Sequence, residues 1–218
     1  MVVAISGDKM EIGHTEKIDW LGHASFRLRG SKQIYIDPWK VEGAPHDGDL
    51  ILVTHSHYDH LNTEDIARVS KPGAIVIAPN SAAEKLNHPG AKLVNPGDTL
   101  IIEGITIEAV PAYNTNKDFH PRSQDWVGYI VELDGLRIYH TGDSDLIDEM
   151  RDVNCHVALV PVSGTYVLTA AEAVEAVRLI EPEIAIPMHW GDIVGSEVDA
   201  AYFRDHASCK VVIKERVK

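Results

Sequence analysis

Four side chains of types that bind metal ions follow a short apolar segment. The apolar residues 50–53 lead directly into His55, His57, Asp59 and His60, which occupy four of six consecutive positions. Neutral imidazoles bind zinc and similar ions, and a carboxylate can also hold or deprotonate a water molecule. A short apolar run that stops at polar residues is typical of a buried strand that ends in a loop. The pattern therefore predicts a metal site at the end of a core strand.

The close spacing of these four side chains favours two ions over one. A single tetrahedral ion cannot easily take all four groups from so tight a turn. Two ions roughly 3.5–4 Å apart can share them, as in two-metal hydrolases. The alternative is a polar surface loop that is rich in His by chance. Chance is a poor explanation, because three His and one Asp rarely fall directly behind a buried strand.

Composition and charge limit the classes of partner. The chain has 218 residues, of which 44% are hydrophobic and 24% charged, an ordinary balance for a soluble globular protein. Its net charge of −13 and its lack of a basic cluster argue against an extended nucleic-acid partner, because such binding depends on Lys and Arg. No segment resembles a signal peptide or a membrane span. We expect a cytoplasmic protein with a small-molecule substrate and no membrane partner, and a homo-oligomer stays open.

The elements that must position the site follow from periodicity and turn signals. Residues 18–29 predict a single first strand or bent hairpin strand, and residues 33–36 predict a strand that Asp37-Pro38 ends. A helix is expected to begin at Thr63, before a buried strand at 74–78. This strand-helix-strand order suggests a βαβ unit with a right-handed crossover.

The second part of the chain contains clearer local signals. Two strands, 127–133 and 136–140, flank the tight turn Asp134-Gly135. Thr169-Ala-Ala-Glu172 is a capping box that predicts a helix, and Ser196 is the expected cap of a final helix. We see no linker and no low-complexity segment, and so expect residues 1–218 to form a single domain. Cys155 and Cys209 lie in strand-like runs and are expected to be buried free thiols, with a disulfide between them left open.

The motif His55-x-His57-x-Asp59-His60 after an apolar strand resembles the signature of the metallo-β-lactamase superfamily. The run Leu-Gly-His-Ala-Ser-Phe at 21–26 resembles the opening of its stand-alone metal-dependent hydrolase branch, which includes ascorbate-6-phosphate lactonase-like proteins. The resemblance covers nearly the whole chain. It implies an α/β (α+β) fold, a four-layer αββα sandwich of two mixed β-sheets flanked by helices, with the metals at one end between the sheets.

The resemblance also implies ligands outside the loop. Asp143 resembles the fourth motif, an Asp that bridges both metals, and His189 matches the fifth motif. The third motif is a single His that some relatives carry directly after a strand, where this chain has Tyr113 and Asn114. We therefore assign this motif to His120, and the alternative that His120 is an ordinary loop residue stays open.

Three further polar residues have different expected roles. Asp37 matches the superfamily's first motif, an Asp that usually braces the metal loop by hydrogen bonding to its His residues. His23 is equally compatible with a hydrogen-bonded core position and with a place in the site. His156, inside an expected core strand, is expected to be structural.

Together these matches imply two divalent ions, with Zn as the first expectation and Mn or Fe as alternatives. The implied ligands are His55, His57 and His120 for one ion, Asp59, His60 and His189 for the other, and Asp143 between them. Metal ions lower the pKa of water from 15.7 towards about 7 in favourable zinc sites. We therefore expect a metal-dependent hydrolase that uses water as its nucleophile and Asp59 as a catalytic residue.

Three other functions are alternatives to hydrolysis. Di-iron relatives that reduce oxygen place a carboxylate where this chain has His57, which argues against that chemistry. A mononuclear iron oxygenase needs fewer ligands than this chain offers. A non-catalytic metal-binding module stays open.

The polar residues of nearby loops bear on the substrate. Several are expected to ring the metals: Tyr113, Asn114, Lys117, Arg122, Thr165, Tyr166 and Trp190. Lys117 and Arg122 would add two cations, which predicts a small anionic substrate of the lactone or phosphoester class. The alternative is that both are solvated loop charges.

Overall fold

A computed structural model describes residues 13–88 and 90–217. Within these ranges the strands form two mixed sheets, of six and seven strands. The first sheet comprises β1 (Ile18–Gly22), β2 (Ser25–Arg29), β3 (Gln33–Ile36), β4 (Gly48–Leu52), β5 (Ser70–Pro79) and β6 (Lys92–Val94). The second comprises β7 (Thr99–Ile102), β8 (Ile105–Pro111), β9 (Val127–Leu133), β10 (Leu136–His140), β11 (Val157–Pro161), β12 (Ile184–Met188) and β13 (Lys210–Val211).

Four α-helices have both ends within the described residues. They are α1 (Thr63–Val69), α2 (Ala83–Leu86), α3 (Ala170–Ile180) and α4 (Glu197–His206). Short 3₁₀ segments lie at Asn80–Ala82, Arg122–Gln124 and Asp148–Asp152. Among the described helices, none is both long enough and apolar enough to cross a bilayer.

Both sheets change from antiparallel to parallel pairing as the chain advances. In the first sheet, β1, β2 and β3 pair antiparallel, and β3 to β6 pair parallel. In the second, β7 to β10 pair antiparallel, and β10 to β13 pair parallel. Because the carboxyl ends of parallel strands meet at one edge, each sheet gathers its strand-end loops there.

The inner faces of the two sheets pack on each other. Phe26, Ile36 and Leu52 of the first sheet belong to the same buried cluster as Tyr129 and Ile186 of the second. Each of these five residues is fully buried. This inter-sheet core is the apolar body on which the strand ends are fixed.

The outer faces are covered by helices. On the first sheet, Ile51 packs in one cluster with Ile66 of α1 and Leu86 of α2. On the second, Val160 packs with Val177 of α3 and Phe203 of α4. Helix, sheet, sheet and helix therefore form four layers, and the predicted αββα sandwich is confirmed.

Most predicted elements are present, with three differences of extent. Residues 18–29 form two antiparallel strands that meet at a tight turn, rather than one bent strand. Strand β5 begins at Ser70 instead of 74, since its pairing with β4 jumps from Gly48↔Ser70 to Leu50↔Ile75. This bulge accommodates Pro72 and Gly73, as a bulge in a sheet can. The apolar run around Cys209 predicts a last strand over 209–213, and β13 covers only Lys210–Val211 of it.

The local helix signals act as expected. Thr169 caps α3, with its side chain accepting from Glu172 N and the Glu172 carboxylate accepting from the Thr169 backbone. At α4 the Asp199 carboxylate accepts from Ser196 N at 2.7 Å and from Ser196 Oγ at 3.1 Å, whereas Asp199 N donates to the Ser196 carbonyl. The hairpin of β9 and β10 has the predicted bounds.

Candidate metal centre

The candidate ligands lie where strands from both sheets end. His55 follows β4 by three residues, Asp143 follows β10 by three residues, and His189 directly follows β12. His120 lies in the segment between β8 and β9. The fold therefore brings side chains from distant parts of the sequence to one end of the sandwich.

Asp37, at the end of β3, fixes the loop that carries four of the candidates. Its carboxylate accepts from Thr54 N at 2.7 Å and from Thr54 Oγ1 at 2.6 Å. It also accepts from His60 Nδ1 at 2.7 Å. Asp37 is fully buried, so these bonds are not exchanged for bonds to water. The position agrees with the bracing role that the sequence predicted.

Several strand ends turn through the left-handed backbone region. The φ angles are 47° at Asp37, 52° at His23 and 59° at His189. Asp and His tolerate this region better than most residues, and such conformations cluster at functional sites. Gly142, immediately before Asp143, has φ 62°, and a Cβ there would lie 2.8 Å from Val127 O. A side chain at this position would displace the Asp143 turn.

Asn114 positions His120. Asn114 Oδ1 accepts from His120 N at 2.9 Å and lies 3.2 Å from His120 Nδ1. The Asn114 amide in turn donates to Tyr166 O at 3.0 Å. His120 is thereby held with its ring buried and its Nε2 directed at Asp143, 3.3 Å from Oδ2. Asn114 therefore orients a candidate ligand through its side-chain oxygen.

The hydrogen bonds define which ring nitrogens are free to bind an ion. His60 Nδ1 donates to Asp37, and His120 Nδ1 faces the Asn114 oxygen. His55 Nδ1 lies 3.0 Å from Thr54 Oγ1, and His189 Nδ1 lies 3.0 Å from Ser163 Oγ. A partner on Nδ1 leaves the Nε2 lone pair available as a ligand. These four rings therefore present Nε2 to the centre.

All four of these Nε2 atoms converge on one carboxylate oxygen. Asp143 Oδ2 lies 3.1 Å from His189 Nε2, 3.3 Å from His120 Nε2, 3.4 Å from His60 Nε2 and 3.9 Å from His55 Nε2. The Asp143 side chain is buried. One carboxylate thus connects ligands from both sheets, as the bridging role would require.

The candidate ligands divide into two neighbouring groups. His55, His57 and His120 form one, in which the ligand atoms lie within 4.8 Å of one another. Asp59, His60 and His189 form the other together with His23 under the same limit. A third group of Asp37, His55 and His60 connects these two, and Asp143 contacts His residues of both, so all seven predicted site residues lie together. Their roles as metal ligands stay predictions.

Burial keeps most of the first group neutral. The pKa of His55 is well below its ordinary value because of burial and, next, the nearby His60. Burial, followed by the neighbouring His120, lowers the pKa of His57 to about 4. Neutral imidazole is the form that binds a metal ion. These two residues are therefore in the ligand form at neutral pH.

The carboxylates at the centre attract positive charge. Burial lowers the pKa of His60, but Asp143 and Asp37 raise it by more, to well above its ordinary value. Burial likewise opposes ionisation of Asp143, yet His189 and His60 hold the pKa of Asp143 well below its usual range. The field at the centre thus favours a cation.

Unpaired buried atoms at the centre fit divalent ions. Within the described residues, His60 Nε2, His120 Nε2, His189 Nε2 and Asp143 Oδ1 are buried without a hydrogen-bond partner. Buried polar atoms without partners are costly and uncommon. A set of imidazoles and carboxylates is the donor set that zinc and related ions take, so the residues present fit the metals that the family implies.

His23 is the residue that sequence reasoning left undecided, and the structure places it in the site. Its Nε2 donates to Asp59 Oδ2 at 3.0 Å, and its ring centroid lies 3.8 Å from that of His189. Its carbonyl accepts from His189 N at 2.9 Å. Burial raises the pKa of Asp59, but the His23 bond and His60 lower it to about 2. His23 therefore holds Asp59 ionised beside His189.

Trp126 was not identified from the sequence. Its ring lies 4.9 Å from that of His55, 4.8 Å from that of His57 and 5.4 Å from that of His120, centroid to centroid. The residue is nearly buried and packs against every member of the first group. An isolated Trp in a loop offers no sequence signal for such a role.

A cavity of roughly 200 Å³ opens onto the centre. Its polar lining is His57, Asp59, His120, Asp143 and His189, and its other lining residues are Tyr58, Phe119, Tyr166 and Ile193. Five of the candidate ligands thus share the lining of one concave site with aromatic and aliphatic side chains.

The prediction that Lys117 and Arg122 lie around the metal centre is wrong. Lys117 Nζ lies 2.6 Å from the buried carboxylate of Asp145, and Arg122 lies 2.9 Å from Glu149. Neither cation is among the residues that line the cavity. Both pair with carboxylates about 28 positions away, which local sequence could not show.

Other expected members of the ring also lie elsewhere. Tyr113 donates to Glu149 rather than facing the centre. Trp190 stacks on Trp20 of the inter-sheet core at a centroid distance of 4.9 Å. Tyr166 does line the cavity, and Asn114 contacts His120, as described above.

The remaining predicted residues lie outside the site. His156 Nδ1 accepts from Arg137 N at 2.9 Å, a structural contact between strands. Cys155 and Cys209 are both free thiols, the first buried and the second partly exposed.

Comparison with known proteins agrees with this geometry. Residues 17–189 match the family model described as beta-lactamase superfamily domain. A UPF0173 metal-dependent hydrolase from Thermococcus onnurineus is 36% identical over 192 residues, which is 80% of this chain and 84% of that protein.

Solved structures share the fold over nearly the full length. A crystal structure from Parabacteroides distasonis has a TM-score of 0.79 and 32% identity, covering 92% of this chain and 93% of that one. Igni18, a metallo hydrolase from Ignicoccus hospitalis, has a TM-score of 0.77 and 26% identity, covering 92% and 95%. The chain therefore belongs to the β-lactamase superfamily, among the UPF0173 metal-dependent hydrolases.

Proposed function

We propose that this metal-dependent hydrolase works with two divalent ions, zinc being the first expectation, on a small substrate of the lactone or phosphoester class. The observation that carries the proposal is the convergence of four imidazole Nε2 atoms on Asp143 Oδ2. Three of these nitrogens are buried and unpaired. The cost of such an arrangement is removed when cations lie between the donors.

The proposed ligands follow from the two groups. His55, His57 and His120 would hold one ion, Asp59, His60 and His189 the other, and Asp143 would bridge them. Bound divalent ions would supply a water of lowered pKa and would polarise the substrate oxygen. Asp37, Asn114 and Ser163 fix the ring orientations, so that little reorganisation is needed when substrate enters.

Asp59 is the proposed proton acceptor. It lines the cavity and is ionised at neutral pH, since its pKa is about 2. His23 Nε2 holds its Oδ2 in place, so the carboxylate keeps one orientation towards the cavity. A fixed carboxylate beside the reacting centre can orient a water molecule and take its proton.

The substrate class rests on the shape and charge of the centre. The cavity is small, and its polar lining consists of five candidate metal ligands. A lactone carbonyl or a phosphoester presents an oxygen and an electrophilic atom that suit such a lining. Because Lys117 and Arg122 are paired with carboxylates, any attraction for an anionic group would come from the metal centre itself.

The test is a hydrolysis screen on protein reconstituted separately with Zn²⁺, Mn²⁺ and Fe²⁺. Lactones, phosphodiesters, thioesters and β-lactams would be supplied at equal concentration, with the metal-free protein and an Asp143→Asn variant as controls. We expect metal-dependent turnover of a lactone or a phosphodiester that both controls lack. Turnover only with iron and oxygen would support an oxygenase, and binding of metal without turnover of any class would support a non-catalytic module.

A further inference from the structure

Part of the cavity lining consists of aromatic and aliphatic side chains, and we call this part the apolar wall. Tyr58, Phe119, Tyr166 and Ile193 form it. Three of them are substantially exposed, with 62% of Tyr58, 48% of Phe119 and 36% of Ile193 accessible to solvent. Large apolar side chains grouped around the mouth of a concave site commonly mark a surface that a ligand covers.

This wall is structured by the same contacts that build the site. Phe119 and Tyr166 meet edge to face, with ring centroids 4.7 Å apart. Asn114, which orients His120, also donates to Tyr166 O, so one amide fixes the segments that carry both aromatic rings. The positions of both rings are thus fixed relative to the candidate ligand His120.

The third segment of the wall is also tethered. Asp192, next to Ile193, pairs with Lys40 Nζ at 2.7 Å and with Arg216 at 3.6 Å. Tyr58, on the metal loop, meets Trp39 edge to face at 6.3 Å. Three chain segments and the metal loop therefore present apolar surface to one cavity.

The wall carries no positive charge. Among the described residues that line the cavity, none is Lys or Arg. The two cations of the His120 loop are neutralised by Asp145 and Glu149. A substrate with a second charged group would have to desolvate that group against aromatic and aliphatic surface, without a partner.

We infer that the substrate of this site is amphipathic: its hydrolysable group faces the metal centre, and its remainder is a compact apolar group, best a single flat ring, packed on Phe119, Tyr166 and Ile193. A ring fits because the Phe119–Tyr166 pair offers aromatic edges and faces, which attract another ring beyond the effect of buried area alone. The inference rests on the proposed function, since it takes the hydrolysable group to lie on the metals. Sugar phosphates and other substrates with several charges are thereby disfavoured.

The test compares two phosphonates that share one head group. Phenylphosphonate and methylphosphonate resist hydrolysis, and they differ only in the apolar group. Their affinities for the Zn²⁺-reconstituted protein would be measured by titration calorimetry. We expect phenylphosphonate to bind roughly tenfold more tightly or better.

Substitutions in the wall test where the phenyl group of phenylphosphonate binds. Phe119→Ala and Ile193→Ala should each weaken phenylphosphonate roughly three- to tenfold while leaving methylphosphonate unchanged. Ile101→Ala removes an exposed apolar side chain on the edge strand β7 and is the matched control, expected to change neither affinity.

Metal content measured on each sample separates the two proposals. A low ion count would contradict the proposed dinuclear site. At full ion count, equal affinities for the two phosphonates, failure to bind either, or a phenyl preference that survives both wall variants would overturn the apolar subsite.

Discussion

The two sheets contribute to the centre in different ways. The first sheet supplies four candidate ligands from one loop of six residues after β4. The second supplies His120, Asp143 and His189 from three separate connections, 23 and 46 positions apart. The first set is thus organised by one turn and its Asp37 brace, whereas the second depends on the pairing of β8 to β12. A site divided this way can form only when both sheets are packed together.

The largest loss of turnover is expected for Asp143, which contacts candidate ligands from both sheets. Asp143→Asn removes the charge that faces four imidazoles, and metal stabilisation of the transition state is worth several kcal/mol. We expect turnover to fall by roughly a thousandfold or more, with loss of bound metal. Kinetics and elemental analysis of the same preparation would check this. Normal metal content and turnover in Asp143→Asn would remove Asp143 from the bridging position.

A smaller loss is expected in the loop of the first sheet. Asp59→Asn keeps the shape of the side chain but removes the proposed proton acceptor, so turnover should fall by about a hundredfold. Thermal unfolding should stay cooperative, because the core lies between the sheets and not in this loop. Full activity of Asp59→Asn would exclude it from catalysis.

Asp59 should also affect how the free energy of unfolding changes at acid pH. The pKa of Asp59 is lowered to about 2, so its contribution to the free energy of unfolding of the metal-free protein is present above about pH 4. It is lost as the pH falls from about 4 towards 2, where the folded-state carboxylate is protonated. Denaturant titrations should show a shallower loss of stability over this range in Asp59→Asn. Identical pH profiles for both proteins would contradict the lowered pKa.

The His120→Ala substitution tests whether the second sheet supplies a metal ligand from the connection between β8 and β9. His120→Ala should lower the affinity of one of two ions by about a hundredfold and leave the other ion in place, since His120 belongs to only one group. His156→Ala is the control: it should leave metal content unchanged and cost about 1 kcal/mol of stability through the lost bond to Arg137 N. Competition titrations with a chelator would compare them, and an effect on metal at His156 but not His120 would reverse the assignment.

Asn114 should give the smallest effect on metal. Asn114→Ala removes the oxygen that orients His120, and such supporting residues typically cost 10–100-fold in affinity; we expect about tenfold. Asn116→Ala is the matched control, because the Asn116 amide contacts the exposed Glu172 instead. Equal affinities in the two variants would mean that Asn114 does not position the ligand.

The same contrast explains what the sequence could predict. The loop after β4 was identified directly because its ligands are close in sequence and follow an apolar strand. The hairpin of β9 and β10 and the capped helices were equally local. Asp143 and His189 needed the resemblance to a family, since each is a single residue after one strand, with no neighbour to mark it.

The failures all involved long-range partners. Sequence could not show that Lys117 pairs with Asp145 or Arg122 with Glu149, and so both were expected at the metals. His23 was left undecided because its partners, Asp59 and His189, lie 36 and 166 positions away. The hydrogen bonds between Asn114 and His120 also offer no signal in the sequence.

The central claim is that the ligands of the loop after β4 and those of the second sheet together hold two ions. The most direct test is elemental analysis combined with a metal titration of the chelator-stripped protein, using Zn²⁺ and Mn²⁺ in turn. The arrangement of two ligand groups around Asp143 predicts a limit of two ions per chain, falling to one in His120→Ala under the same free-metal concentration. A firm limit of one ion in the unaltered protein, with no second binding event at excess metal, would contradict it.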